Sequence, residues 1–171
     1  MELELTEYKF CNICGGKVDI VLHEGRCRPV CVSCGHVVYI NPVPAVCQVV
    51  LDEKKILLVL RAVEPRKGMW CLPGGFIEWG EKAPEGSKRE LFEETALKAA
   101  ELSLIGVYDS ITDSNKHVLL IAHRVHSWSG DPVAGDDAER AEWFGIAELP
   151  PIAFSSHERV IQDVLENEGI N

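Results

Sequence analysis

Glu90, Glu93 and Glu94 stand at i, i+3 and i+4 of a segment, residues 84 to 96, that is predicted to be helical, so three carboxylates share one face within a turn. Like charges at this spacing cost an isolated helix roughly a few tenths of a kcal/mol per pair, so the face calls for a compensating cation. Carboxylates are hard oxygen donors suited to Mg²⁺ or Mn²⁺. Mg²⁺ takes few carboxylates, keeps several waters and shares its remaining positions with phosphates, which points to phosphate ester or anhydride chemistry. Leu72-Pro73-Gly74-Gly75-Phe76, just upstream, reads as a strand-to-loop turn whose glycines let backbone approach a ligand or metal.

A second donor set lies near the N-terminus. Cys11-Asn12-Ile13-Cys14-Gly15 and Cys31-Val32-Ser33-Cys34-Gly35 are two C-x-x-C-G knuckles separated by sixteen residues, the spacing of a four-cysteine Zn²⁺ site. Two intervening residues let both thiolates of a knuckle reach one tetrahedral ion, and the glycine after the second cysteine lets the chain turn beneath it. Disulfides or a redox pair fit less well, because the cysteine total is an odd seven and a redox motif needs no matched second knuckle. Cys27 lies between the knuckles as a spare thiol, whereas Cys47 and Cys71 sit among apolar residues and read as small core side chains.

The elements that must position these donors are legible at coarse resolution. The ribbon ends near Val37-Val38-Tyr39-Ile40, and Asn41-Pro42-Val43-Pro44 reads as an extended linker because X-Pro units disfavour helix. Residues 46–51 and 56–61 are β-branched-rich runs about the turn Asp52-Glu53-Lys54-Lys55, a hairpin. Residues 102–108 and 117–126 read as strands with Asp113-Ser114-Asn115 turning between them. A Gly/Ser/Asp/Pro-rich loop, 127–137, precedes a short strand at 141–146. Ser155-Ser156-His157-Glu158 has the form of a capping box, followed by Val160, Ile161, Val164 and Leu165 at helical spacing.

The whole chain has 171 residues, 46% apolar and 26% charged, enough for one good core and a metal-stapled module of about 40 residues. No apolar run reaches the length of a membrane span, and the first residues are acidic rather than basic, so a cytoplasmic protein without membrane attachment is the expectation. A net charge of −10 argues against nonspecific nucleic-acid binding. Residues 1–40 carry four basic and five acidic side chains and so lack a basic footprint, which makes the ribbon structural or a subunit contact.

The stretch from Gly75 to Leu97 resembles the Nudix box, a glycine, five residues, a glutamate, seven residues, then R-E-U-x-E-E-x-G-U with U bulky and apolar. Gly75, Glu81, Arg89, Glu90, Leu91, Glu93, Glu94 and Leu97 are in register; Ala96 stands where the family has glycine. An alanine there either accepts a left-handed conformation at a cost of roughly 1 kcal/mol or lets the helix run on. A solvated acidic face is the ordinary reading of a Glu-rich helix, and the eight matched positions outweigh it. With Tyr39-Ile40-Asn41-Pro42, Arg61-Ala62-Val63-Glu64-Pro65-Arg66 and Trp70-Cys71-Leu72-Pro73, the chain resembles Nudix hydrolases that carry a zinc ribbon and are related to ADP-ribose and FAD pyrophosphatases.

That resemblance implies an α/β fold: a Nudix α/β/α sandwich on a mixed sheet over residues 41–171, preceded by a four-cysteine zinc ribbon over residues 1–40. It implies hydrolysis of a nucleoside diphosphate linked to another moiety, ADP-ribose or FAD favoured, releasing AMP with Mg²⁺ or Mn²⁺ held by Glu90, Glu93, Glu94 and the Gly75 carbonyl. Glu94 or Glu93 is a candidate base, as are Glu139 and Glu142 outside the box; Arg89 would orient carboxylates by pairing with Glu81 or a metal-binding glutamate. Arg61 and Arg66 could contact phosphates or serve solubility. Phe76, Trp79 and Trp70 could stack on a base, although core packing is the commoner fate of a single aromatic, and Glu142 is a further candidate to touch substrate.

His117, His123 and His126 read as strand residues rather than ligands. An NADH pyrophosphatase or RNA-decapping enzyme is the alternative, weakened because the Ser-Gln-Pro-Trp-Pro-Phe-Pro stretch typical after their box is absent from residues 102–110. A non-catalytic nucleotide sensor is the third reading, and the intact box carboxylates speak against it. A homodimer is the commonest oligomer, but no sequence feature demands one.

Overall fold

The computed structural model describes residues 8–111 and 116–170. The turn expected at Asp113-Ser114-Asn115 lies outside the described residues. The chain divides into two compact units, Met1–Asn41 and Pro42–Asn171.

In the first unit, β1 (Val18–His23) and β2 (Arg26–Cys31) form an antiparallel ribbon whose turn carries positive φ at Glu24 and Gly25. The cysteine knuckles flank it. Each repeats the same local hydrogen bond: the Gly15 N–H donates to the Cys11 carbonyl at 2.9 Å and the Gly35 N–H to the Cys31 carbonyl at 3.0 Å. Gly15 and Gly35 have φ of 72° and 73°, the left-handed turn that favours glycine.

The second unit is a mixed sheet between two helices. Its strands are β3 (Val43–Asp52), β4 (Lys55–Arg61), β5 (Trp70–Cys71), β6 (Lys98–Ile111), β7 (His117–Ser129) and β8 (Ala138–Gly145). The order is β5-β4-β3-β7-β6 with β8 against the other edge of β4; β3 and β7 are parallel and the remaining pairs antiparallel. Helix α1 (Ala83–Thr95) covers one face, where Leu91 and Leu97 pack with Val50, Leu57 and Val125. Helix α2 (Ser155–Glu168) covers the other through Val160, Ile161 and Val164 against Cys47, Val49, Leu58 and Leu120. Cys47 and Cys71 are buried in this unit, as small core residues, and Cys27 is exposed in the ribbon.

Several boundaries differ from the sequence expectation. Val43 and Pro44, expected in a linker, open β3; Pro44 faces Leu119 near the strand's start, and its carbonyl accepts the Ile77 N–H at 3.2 Å. Proline is tolerated at a strand's beginning, where the ladder loses little. Strands β6, β7 and β8 each extend beyond the expected segments, so the loop before β8 shrinks to residues 130–137. The capping box at Ser155 does not form: Phe154 is the N-cap of α2 and no side chain caps it. Instead Ser156 is buried and donates to the Ser110 hydroxyl at 3.3 Å.

At the end of α1, Ala96 takes φ 58°, and its N–H donates to the Phe92 carbonyl at 2.8 Å. The helix stops there, so the alanine accepts the left-handed conformation rather than letting the helix run on.

One irregularity of the sheet shapes the cleft. β3 and β4 pair only next to their turn, at Leu51–Ile56 and Asp52–Lys55, and then part. The box loop fills the gap: the Val46 and Gln48 N–H groups donate to the Gly75 and Pro73 carbonyls at 2.8 and 3.0 Å. The separation of two neighbouring strands thus opens a cleft and lays Pro73–Phe76 along its edge.

Candidate active site

Helix α1 buries Gly86, Ser87, Glu90, Leu91, Glu94 and Thr95, so its sheet-facing side is largely polar and a single leucine anchors it. The helix begins at Lys82, whose N–H donates to Glu85 at 3.1 Å, and Pro84 near its start needs no intrahelical partner. Polar contacts do much of the docking. Ser87 Oγ lies 2.8 Å from His123 Nδ1 in the buried layer between α1 and β7, so His123 is a structural partner. His126 bonds the Ser103 hydroxyl instead.

Arg89 uses all its donors, three to tie the helix to the loop and two on glutamates of its own helix. It pairs with both oxygens of Glu81 at 2.8 and 2.9 Å, reaches Glu90 at 2.7 Å and Glu93 at 2.9 Å, and donates to the Phe76 carbonyl at 3.0 Å. The hydrogen bonds from Arg89 hold the Glu81 carboxyl down at about 2. Glu94 turns the other way, accepting the Gly74 N–H at 2.8 Å. Burial pushes Glu94 up to about 8, and the charges of Glu90 and Asp137 add to that; burial also raises Glu90.

The glycines define the loop's approach. A Cβ on Gly74, whose φ is 147°, would collide with the Val46 carbonyl and come within 2.7 Å of the Cys47 Cα. A Cβ on Gly75 would come within 2.5 Å of the Glu90 carboxylate, so that carboxylate lies against bare backbone. Two buried carboxylates with raised affinity for protons, a third beside them and one guanidinium to share fit a hard cation. The carboxylates are not drawn tightly together, however. Among the described residues only Cys11, Cys14, Cys31 and Cys34 have ligand atoms all within 4.8 Å of one another. A wider carboxylate set suits an ion that retains waters.

The cysteine set has Sγ separations of 3.4 Å for Cys14–Cys34, 3.5 Å for Cys14–Cys31 and 3.8 Å for Cys11–Cys34. These are far from a disulfide and close to the roughly 3.8 Å edge of a tetrahedron built on Zn–S bonds of about 2.3 Å. The thiols share their ionisation: backbone N–H groups of Cys34 and Ser33 lower Cys31, while the side chains of Cys34, Cys31 and Cys11 raise Cys14, so Cys31 gives up its proton ahead of Cys14.

The cleft between the parted strands has a volume of about 320 Å³. Arg61, Arg66, Gly75 and Phe76 line it, whereas Trp79 and Glu142 do not. Phe76 is 56% exposed and Trp79 fully so, which corrects the expectation that such aromatics pack in the core; Trp70, half-buried, packs edge-on against Phe144. Arg61 donates to the Pro65 carbonyl at 2.7 Å and lies over the Phe154 ring at 5.2 Å, so it is positioned rather than merely solvated. Glu142 is ion-paired with Arg140 on β8, and the exposed Glu139 is also outside the cleft lining.

The structure adds residues that the sequence did not single out. Asp137 lines the cleft, and its charge bears on Glu94 as that of Asp136 does on Glu90. Their loop is held by the carbonyls at the end of α1: the Val133 N–H donates to Thr95 at 2.9 Å and the Gly135 N–H to Glu94 at 3.3 Å. Loop residues this far downstream of the box carry no motif that announces such docking. His157, in the first turn of α2, also lines the cleft, although its only sequence signal is proximity to a helix start.

A Nudix domain model matches residues 41–164. The chain is 42% identical over 128 residues to an ADP-ribose pyrophosphatase of Methanocaldococcus jannaschii, covering 74% of this chain and 75% of that one. It is 31% identical over 147 residues to the NAD-capped RNA hydrolase NudC of Pseudomonas aeruginosa, covering 84% of this chain but only half of that protein's length. Among solved structures, a Nudix hydrolase from Nitrosomonas europaea superimposes with a TM-score of 0.75 at 29% identity, over 94% of this chain and 93% of that one. With the box carboxylates set on α1 beside the glycine loop, and the sheet between two helices, the chain belongs to the Nudix hydrolase family.

Proposed function

We propose that this hydrolase cleaves the pyrophosphate of a nucleoside diphosphate linked to another moiety, with ADP-ribose favoured and FAD next, releasing AMP. The observation that carries the reading is a cleft with two functional borders. Glu90 and Glu94 do not line the cleft themselves but lie directly behind Gly75 and Gly74, which do, while Arg61 and Arg66 line the same cleft where phosphate oxygens would need positive charge. The similarity to an ADP-ribose pyrophosphatase supports that substrate class.

Glu90, Glu93 and Glu94, with the Gly75 carbonyl, would hold Mg²⁺ or Mn²⁺, which supplies charge neutralisation for the diphosphate and a more acidic water. The Gly75 oxygen accepts the Val46 N–H, and its second lone pair remains for such a role. Arg89 keeps Glu81, Glu90 and Glu93 in register as a positioning residue. Glu94, buried beside the glycine loop, is a candidate base as well as a ligand, since burial raises its affinity for a proton in the metal-free protein, and Asp137, which lines the cleft, is the further candidate outside the box. The cysteine cluster would hold a structural Zn²⁺, with all four ligands from the protein. Residues 1–40 would then form the ribbon and 41–171 the catalytic domain, acting on a small nucleotide rather than on nucleic acid.

Similarity to NudC keeps hydrolysis of NADH or NAD-capped RNA as the second reading. Product chromatography after incubation with ADP-ribose, FAD, NADH and nucleoside triphosphates, with Mg²⁺ or Mn²⁺, separates these. AMP released from ADP-ribose by the wild type and lost in Glu94→Gln is the expected result. Preference for NADH would promote the second reading, and no turnover from folded, zinc-loaded protein would overturn the proposal for this substrate set.

A further inference from the structure

Part of the cleft lining is uncharged: Val118, Leu120 and Ala153 are apolar, and Ser110, Ser155, Ser156 and His157 are neutral polar side chains. Ser156 is 2% exposed and spends its hydroxyl proton on Ser110, which leaves the Ser110 hydroxyl proton to be donated elsewhere. His157 is 8% exposed, and its Nδ1 accepts the backbone N–H of Leu72 at 3.2 Å. That bond fixes the tautomer: Nδ1 is the acceptor, so the ring proton resides on Nε2.

We propose that His157 Nε2–H, with the Ser110 hydroxyl that lines the same cleft, forms a recognition subsite for an uncharged hydrogen-bond acceptor of the substrate, a ribose hydroxyl or a nucleobase edge. The proposal rests on the pyrophosphatase reading of the same cleft and deepens it. Arg61 and Arg66 serve the phosphates, and the neutral donors serve the moiety that carries no charge. An apolar wall with a few placed donors is the ordinary construction of such a subsite. Neither donor carries charge, so a phosphate would take its charge-matched contact from the neighbouring Arg61 or from Arg66 rather than from them. The imidazole stays neutral, since burial, reinforced by the Arg61 charge, pushes its pKa down to about 3. Its donor is therefore present unchanged across the physiological pH range. The ring is also held from the side by Phe154, 5.1 Å between centroids, so the donor direction is fixed before a ligand arrives.

Two near-isosteric substitutions separate recognition from support. His157→Asn keeps an acceptor at the Nδ1 position for Leu72 but loses the cleft donor; His157→Gln keeps a donor near Nε2 but loses the acceptor. Binding of ADP-ribose to metal-free protein by calorimetry, turnover with Mg²⁺ and thermal melting would be measured for the wild type and both variants. The expected result is that Asn melts close to wild type and weakens ADP-ribose binding and raises KM about tenfold with little change in kcat, whereas Gln melts lower and keeps KM within about twofold. Parallel titrations with AMP and ribose 5-phosphate tell base from sugar: a loss of affinity in Asn for both places the contact on ribose, and a loss for AMP alone places it on the base. Wild-type turnover with unchanged KM in Asn would overturn the subsite and leave the pyrophosphatase reading standing. Binding that depends on His157 without turnover would do the reverse. A wild type that neither binds nor hydrolyses ADP-ribose, AMP or ribose 5-phosphate would overturn both.

Discussion

The four cysteines and the three box glutamates are both anionic donor sets on short sequence spacings, but the fold prepares them to different degrees. In the ribbon the sulfurs are already gathered within 4.8 Å, and two matching backbone turns present them. In the hydrolase unit the glutamates are held apart, Glu90 and Glu93 on Arg89 and Glu94 on Gly74. Among the described residues the ribbon buries little that is apolar: Ile13, Leu22 and Val32 are all exposed. The glutamates instead sit over a sheet whose core includes fully buried Val50, Leu57, Leu91 and Leu97. One donor set therefore has to make its own fold, and the other is carried by a fold that exists without it. Closed coordination suits the first task, and donors left with room for water and substrate suit the second.

Metal removal tests this division most severely. With zinc on the four cysteines as proposed, stripping it with a chelator, or Cys34→Ser, is expected to unfold the ribbon outright, because metal binding supplies on the order of 10 kcal/mol or more in small cysteine-rich modules. Hydrogen exchange reads the outcome by region: amides of β1 and β2 should lose protection while those of β3 and β7 keep it. Retained protection in a zinc-free ribbon would mean that its strands hold themselves, and the contrast would collapse.

For the glutamates the expected loss is of activity rather than fold. Glu94→Gln should lower kcat by about 10²–10³-fold. Its effect on stability depends on pH, with a sign opposite to the usual carboxylate. Since the folded-state pKa of Glu94 is raised from 4.5 to about 8, the folded protein binds more protons than the unfolded chain between those values. This contribution is whole below about 4.5 and disappears as pH rises through 8. The metal-free wild type should therefore melt lower at pH 9 than the Gln variant, and Mn²⁺ should raise the wild-type Tm more at pH 9 than at pH 6. Glu81 behaves conversely. Its contacts with Arg89 stabilise fully above about 4.5 and are lost as pH falls toward 2.

Glycine sharpens the comparison because the two regions use it for different reasons. Gly15 and Gly35 have positive φ but open space around the missing Cβ, so Gly15→Ala should cost only about 1 kcal/mol, the price of the backbone conformation alone. Gly74 has a disallowed φ together with backbone in the way, and Gly74→Ala should cost about 3 kcal/mol or more as β3 is forced off the loop. Urea denaturation of the hydrolase unit, compared with zinc affinity of the ribbon, measures each separately.

What could be read from the chain and what could not follow the same boundary between local and distant contacts. The glutamate face of α1 and the knuckles depend on residues within a turn or one loop, and spacing suffices to locate them; Arg89 is legible only as a partner of Glu81 or of a metal-binding glutamate, and the structure joins it to both. The cleft depends on β3 and β4 parting after two pairs, on β5 and the box loop entering the gap, and on α2 arriving from the end of the chain. No periodicity encodes that meeting, so Asp137 and His157 were not distinguishable from ordinary surface and helix residues. Local rules also fail where tertiary contacts outbid them. Ser155 and Glu158 have capping spacing, but the helix starts from Phe154, whose ring packs with His157 and Arg61. Pro44 signals a linker, yet parallel pairing with β7 recruits it into the sheet.

The smallest expected effect concerns the end of α1. Ala96 holds φ 58° without the glycine that the box normally places there, and its N–H closes the helix on Phe92. Leu97 follows at once into the core, fully buried, so the chain must turn at this residue and the alanine has no freedom to relax. Ala96→Gly should relieve the left-handed strain, but glycine also loosens the unfolded chain, and the two effects oppose each other. Because the native φ is positive, relief should exceed the entropic loss, for a net gain of about 0.5–1 kcal/mol in urea denaturation of the hydrolase unit. Activity should stay within about twofold, since the glutamates are positioned by Arg89 and Gly74 rather than by the helix terminus. A larger change in kcat would show that the loop at 133–135, bonded to the last carbonyls of α1, transmits the geometry of that terminus to Asp137 and the cleft.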